Sequence, residues 1–196
     1  MPRSSSSVFS NIGASNHSKY EREKDDFYAT DVSAIDLLEK HNLLVNGAYW
    51  ECACGDGRLS EQLKKYGYKV ISSDLFSRGY DNCWTGVDFL EQEHGYENII
   101  TNPPYRLIND FLVKGIELAE HRLYIFARLQ TLETIGRYNK VFKDNPPRFV
   151  CPFVKRIPCY RGGENNPKFR QSAVAYAWFI WDNQDPTNRC EIKWLI

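Results

Sequence analysis

The sequence predicts an α/β domain, a mostly parallel sheet with helices on both faces. Three observations carry this. Short apolar runs such as "AYWEC", "YKVISSD" and "RLYIFARL" alternate with amphipathic stretches such as "LSEQLKKYG" and "LINDFLVKGIELAE". Gly, Pro, Asn and Asp fall mainly between these segments. The candidate ligand-binding residues sit where strands end, which is where open α/β sheets bind their ligands.

The elements follow in order. "DFYATDVSAIDLLEKHNLL" opens with a capping residue and carries Val32, Ile35 and Leu38 at helical spacing. "AYWEC" is a short strand, "ACGDGR" a glycine-bearing turn, and "LSEQLKKYG" a helix stopped by Gly67. "YKVISSD" is a strand ending in Asp74, and "CWTGVDFL" is another with Asp88 near its end. "ENIITNPPY" runs from a strand into a loop, followed by the helix "LINDFLVKGIELAE" and the strand "RLYIFARL". A helix is expected near 133–142, a strand near 149–154, and a Gly/Asn/Pro-rich loop at 161–168. The run "SAVAYAWFIWD" closes the core and "EIKWLI" is a last short strand.

The 196 residues suit one domain, expected over 23–196 behind a flexible tail at 1–22, with no separate target-recognition domain. A hydrophobic fraction of 42% with 14% aromatics excludes a disordered chain. No apolar run approaches the roughly 18 residues of a membrane span, so no membrane role is expected. The first residues, "MPRSSSSVFSNIGASNHS", contain no apolar signal core, and the six cysteines lack paired zinc spacing. A cytoplasmic protein with reduced thiols and no metal is expected. Net charge is zero, but nine basic residues between Arg137 and Arg170 face only Asp144 and Glu164. That stretch is a solvated basic face or a docking surface for an anionic polymer.

"ECACGDGRLSEQL" places Glu51, Ala53, Gly55 and Gly57 on alternate positions after a strand. The glycines let the backbone turn tightly and approach a ligand closely. The dinucleotide pattern is incomplete, since Ser60 stands at its third glycine, and no phosphate-loop lysine is present. Asp74, at the next strand end, can accept hydrogen bonds from both hydroxyls of a ribose. Asp88-Phe89 pairs a carboxylate with an apolar face, a combination suited to an adenine.

E-x-A-x-G-x-G, a strand-end Asp, Asp-Phe and then Asn-Pro-Pro-Tyr, in this order, resemble the class I S-adenosylmethionine-dependent methyltransferases. More narrowly they resemble the DNA N6-adenine amino-methyltransferases, including small phage-encoded members. Phe27-Tyr28-Ala29-Thr30 upstream, Arg128 to Glu133 and the aromatic strand Tyr176 to Trp181 extend the likeness over about residues 26–182. The resemblance implies a Rossmann-like fold with a seven-stranded sheet and S-adenosyl-L-methionine as cofactor. By matching position it implies that Glu51, Cys52, Ala53, Gly55 and Gly57 wrap the methionine part. Asp74 and Leu75 would hold the ribose side, and Asp88 and Phe89 the adenine. Tyr28 and Thr30 would cover the carboxylate side, with Asn102 at the junction. Relatives with Pro-Thr-Pro differ from this chain, which has Ala29-Thr30-Asp31.

Asn102-Pro103-Pro104-Tyr105 carries the chemistry. The lone pair of an aromatic amine is delocalised into its ring, so it attacks a methyl sulfonium poorly. Two acceptors aimed at its N–H bonds favour pyramidalisation and stabilise the charge that develops on nitrogen. Asn102 offers a side-chain carbonyl and Pro103 a main-chain carbonyl, on a loop stiffened by two prolines. Tyr105 offers a ring on which a flat substrate stacks. The same loop suits adenine in DNA, adenine in RNA or a protein glutamine amide, and a degenerate protein acting by contacts alone is a further reading. Arg156, Arg161, Lys168 and Arg170 are the residues expected to meet the acceptor chain. With so little chain left to read a target, a second copy or a specificity partner is the expected help.

Overall fold

The computed structural model describes residues 27–161, 174–185 and 187–196. The expected tail at 1–22 lies outside these residues. The chain begins with β1 (Tyr28–Thr30) and α1 (Ser33–Lys40), then β2 (Ala48–Glu51), α2 (Arg58–Lys65), β3 (Lys69–Asp74) and β4 (Trp84–Thr85). It continues through β5 (Tyr96–Thr101), α3 (Ile108–Leu118) and β6 (Ala119–Arg128) to the short helix α4 (Ile135–Arg137) and a π turn at Tyr138–Phe142. β7 (Phe149–Pro152), β8 (Cys159–Arg161), β9 (Tyr176–Asp182) and β10 (Glu191–Ile192) complete it.

The main sheet has the order β10-β7-β9-β6-β5-β2-β3-β4. β9 runs antiparallel to both of its neighbours, and the remaining pairs are parallel. This is the expected Rossmann-like α/β architecture, corrected in one respect: the sheet has eight strands where seven were expected. The eighth is β10, from the "EIKWLI" stretch, and it extends the edge beyond β7. Backbone bonds from Glu191, Lys193 and Leu195 to the carbonyls of Arg148, Val150 and Pro152 hold it there. Leu195 is fully buried, so the strand is anchored by a core side chain as well as by its ladder.

Both faces of the sheet are covered, which explains why its strands read as continuous apolar runs. Successive residues point to opposite faces. Tyr49, Ile100, Tyr124 and Trp178 pack with Ile35, Leu38 and Leu63 of α1 and α2. Trp50, Ile99, Ile125 and Phe179 pack on the other face with Phe111 and Leu112 of α3. Before α1, Asp31 accepts the Ser33 N–H at 3.0 Å and its hydroxyl at 2.6 Å, which fixes the turn into the helix. α3 passes into β6 with no intervening loop.

The strand order reverses between β2 and β5, because the chain first builds outward through β3 and β4 and then returns to the other side of β2. Such a switch point opens a crevice beyond the carboxyl ends of the strands. A separate two-stranded ribbon flanks the crevice: β1 pairs antiparallel with β8, with Tyr28 opposite Arg161 and Thr30 opposite Cys159. The composition of the two segments does not mark them as partners.

Leu195→Ala tests the anchoring of the eighth strand. Deleting a buried leucine side chain costs about 2–5 kcal/mol, and urea unfolding is expected to show a loss in that range. A loss under ~0.5 kcal/mol, the level of a surface substitution, would mean that β10 contributes only edge pairing.

Candidate active site

A cleft of about 270 Å³ opens at the switch point, and the turns after β2, β3 and β5 build its walls. The turn after β2 is tight: Gly57 N–H donates to Cys54 O at 2.9 Å, and Cys54 N–H to Ser73 O at 3.0 Å. Gly55 sits at φ +57, and a Cβ there would lie 2.3 Å from the Phe27 ring. Glycine is therefore required both by conformation and by space. Gly55 N–H donates to Asp74 Oδ2 and Phe76 N–H to Asp74 Oδ1, both at 2.9 Å. Asp74 thus joins the turn after β2 to the turn after its own strand.

Glu51 closes β2 and lines the cleft floor. The Ser60 hydroxyl donates to its carboxylate, and Ser60 in turn meets Ser72 at 2.6 Å. Burial outweighs these bonds and pushes the Glu51 carboxyl up to about 8. Asp88 Oδ1 accepts Leu90 N–H at 2.9 Å, which starts a 3₁₀ turn at Phe89–Glu91. Phe89 lines the cleft, yet its ring stacks on Phe111 at 4.7 Å and also meets Trp50. Much of its surface is therefore buried in the core.

Asn102 follows β5. Its Nδ2 donates to Tyr28 O at 2.8 Å and to Thr30 Oγ1 at 2.9 Å. A peptide carbonyl can only accept, so the amide nitrogen must face β1. Asn102 Oδ1 then points the other way, and it is buried with no hydrogen-bond partner. Pro104 O accepts Leu107 N–H at 2.9 Å, while no backbone bond among the described residues takes the Pro103 carbonyl. The Tyr105 ring lies 5.7 Å from the Tyr28 ring, tilted by 31°, and the Arg128 guanidinium lies 4.6 Å from its centroid. Burial raises the Tyr105 hydroxyl well above its ordinary value, so it stays neutral.

Of the residues expected to hold the cofactor, all but Gly57 line this cleft; Gly57 instead precedes α2 at φ +76. Pro103, Pro104 and Tyr105 line it too, whereas Arg156 does not. Lys168 and Arg170 lie outside the described residues, and for Arg161 only the backbone is described. Sequence reasoning missed Phe27, Arg58, Phe76, Arg78 and Leu107 as wall residues. Their only signal was proximity to strand-end motifs.

Within the basic stretch several cations have local partners. Arg137 donates to the carbonyls of Thr131 and Glu133 and to Asn109 Oδ1. Lys140 pairs with Asp110 at 3.0 Å, and Arg148 pairs with Asp185 and Glu191. Among the described residues no cluster of three metal-ligating side chains occurs, and no helix is long and apolar enough to cross a membrane.

No family model and no curated protein matches the sequence. Solved structures do match the fold. A candidate RNA methyltransferase from Pyrococcus horikoshii superposes with a TM-score of 0.62 at 16% identity, over 90% of this chain and 96% of that one. A candidate class I S-adenosylmethionine-dependent methyltransferase from Listeria monocytogenes gives 0.60 at 14% identity, over 90% of this chain and 67% of that one. A Thermoplasma acidophilum protein gives 0.56 at 15%, over 78% and 88%. At these identities the likeness establishes the class I methyltransferase fold.

Glu51→Gln tests the buried carboxyl. Its folded-state pKa is raised, so its contribution to stability is full below the unfolded value near 4.5 and is lost as pH rises toward about 8. The neutral amide removes that slope. Urea unfolding at about pH 5.5 and about pH 8 should show the variant gaining on the parent by at least ~1 kcal/mol at the higher pH. Parallel pH profiles would place the Glu51 pKa in the ordinary range.

Proposed function

We propose that the protein is an S-adenosylmethionine-dependent amino-methyltransferase whose acceptor is the N6 amino group of adenine in DNA. The observation that carries this is Asn102 Oδ1, buried at the cleft wall with no partner, its amide turned by two hydrogen bonds to β1. A buried carbonyl without a donor costs roughly 1–3 kcal/mol, which an arriving N–H would relieve.

The cofactor reading rests on the fold and on the fit of the cleft. The turn after β2 has a glycine where any Cβ would collide with Phe27, so the backbone packs close to that ring, and both line the cleft. Asp74 and Asp88 present carboxylate oxygens for hydroxyl and amino donors, and these two carboxylates favour a cationic ligand. When bound, the cofactor supplies an electrophilic methyl group on a sulfonium.

The chain's own residues do the rest. Asn102 Oδ1 and the Pro103 carbonyl accept the two N–H bonds of the acceptor amine. This draws the nitrogen out of conjugation and stabilises the charge it gains. Tyr105 aligns the flat group, and the Tyr28 ring lies beside that of Tyr105. The two rings are 5.7 Å apart and tilted, too close to hold a ring between them, so they form one aromatic wall; such a wall suits a flat nucleobase better than a small side-chain amide. The excess proton leaves to solvent after transfer. A base in duplex DNA must be turned out of the stack to reach this depth. Support for a polyanion comes from the exposed Lys143, Lys155 and Arg156; Arg161, Lys168 and Arg170 are proposed as further contacts to it.

Transfer of label from the cofactor to DNA, RNA and total protein tests the reading. Label in DNA recovered as N6-methyladenine is expected, and label confined to RNA or to protein would overturn the DNA assignment. Asn102→Ala should lower kcat about 10²–10³-fold while binding of S-adenosylhomocysteine persists. Tyr28→Ala should raise KM for the acceptor more than Tyr28→Phe does, because the ring face and not the hydroxyl is used.

A further inference from the structure

Cys54 lies in the glycine turn after β2, and Cys83 lies immediately before β4. The strands that lead to and from them flank β3 on opposite sides. Their sulfurs meet across the end of β3 at 3.1 Å, and both thiols are free. A disulfide needs about 2.05 Å, so the approach required is roughly 1 Å. The backbone already holds both partners in place: Cys54 N–H bonds Ser73 O, and the next residue after Cys83, Trp84, pairs with Ser73. Cys54 is buried and forms part of the cleft wall, whereas Cys83 is half-exposed and is not part of it.

We propose that Cys54 and Cys83 form a modification site, a dithiol that a peroxide or a small-molecule disulfide converts to an intramolecular disulfide that weakens cofactor binding. The second half of this statement rests on the cofactor reading above. Cys83 reacts first, because only its sulfur is open to solvent. Its thiolate attacks one peroxide oxygen, the O–O bond breaks, and hydroxide leaves with a proton as water. The sulfenic acid so formed is attacked by the Cys54 sulfur, the S–O bond breaks, the S–S bond forms and a second water leaves. Two thiols lose two electrons and two protons, and one hydrogen peroxide becomes two waters. With a small disulfide the same link forms by two exchanges through a mixed disulfide, releasing two small thiols.

The consequence follows from the neighbours of Cys54. Gly55, the next residue, donates its N–H to Asp74, so drawing Cys54 toward Cys83 moves the turn that Asp74 fixes. The link also ties that turn to the segment carrying Leu75 and Phe76, both of which line the cleft. Burial pushes both thiols up, and the Glu51 and Asp74 carboxyls add to this. Thiolate is therefore scarce near neutral pH, and the reaction is slow there.

Purified protein treated with hydrogen peroxide or oxidised glutathione should lose two hydrogen atoms by intact mass. Peptide mapping should place the link at Cys54–Cys83. The oxidised protein should bind S-adenosylhomocysteine at least about 5-fold more weakly by calorimetry, with recovery on reduction. By reciprocity, S-adenosylhomocysteine should slow the oxidation. Cys83→Ser should keep the affinity of the reduced parent and remove the redox sensitivity, while Cys190→Ser should retain the sensitivity. No Cys54–Cys83 link, or a link with unchanged affinity, would overturn the proposal. If the reduced protein fails to bind the cofactor product at all, the cofactor reading falls, and mass analysis still decides the dithiol site.

Discussion

The site depends on how one amide is turned. Asn102 has a donor end and an acceptor end of nearly equal size, and packing alone would not choose between them. Tyr28 O and Thr30 Oγ1 choose, because both lie on β1 within 2.9 Å of Nδ2. β1 is in turn held by its pairing with β8, by the Asp31 N–H bond to Pro158 O and by the Tyr160 hydroxyl on Asp31. A three-residue strand outside the main sheet therefore decides which end of the Asn102 amide turns toward β1. An interior carbonyl with no donor is costly, and native structures retain few of them. Here the fold tolerates one at a residue that lines the cleft.

A second constraint is electrostatic. Glu51, Asp56, Asp74 and Asp88 all border the same cleft. Arg58 offsets Asp56 by a direct ion pair. Burial keeps Glu51 protonated through neutral pH, which reduces the repulsion that Asp74 would otherwise feel. The cleft thus holds less negative charge than its composition suggests when empty, and has a reserve of charge that a cationic ligand can draw out.

The strand-end motifs were legible because their chemistry is local. A glycine turn after an apolar strand, a terminal Asp and an Asn-Pro-Pro loop are each written in a few consecutive residues, and the doubly covered sheet makes its strands apolar throughout. What was not legible depends on partners remote in sequence. The β1–β8 ribbon joins two short segments whose composition does not mark them as a pair. The run of nine basic residues did not reveal that Arg148 meets Asp185 and Glu191, or that Arg137 is bound into its own loop. Phe89 was read as a face for a ring, and the sequence could not show Phe111 stacked against it. The eighth strand was visible as "EIKWLI", but two residues of ladder did not distinguish an added edge from a terminal extension.

The β1–β8 ribbon also governs when the site comes into being. Asp31 and Tyr160, which bond each other beside it, are 129 positions apart in the chain. Contacts of such long range form late, after the entropy of closing the intervening chain has been met. During synthesis the glycine turn, Asp74 and Asn102 all emerge well before β8 does. Until β8 arrives, β1 lacks its strand partner and Asn102 lacks a fixed orientation. The glycine turn and Asp74 can therefore take up their positions before β8 is made, while the orientation of the Asn102 amide is fixed only after it.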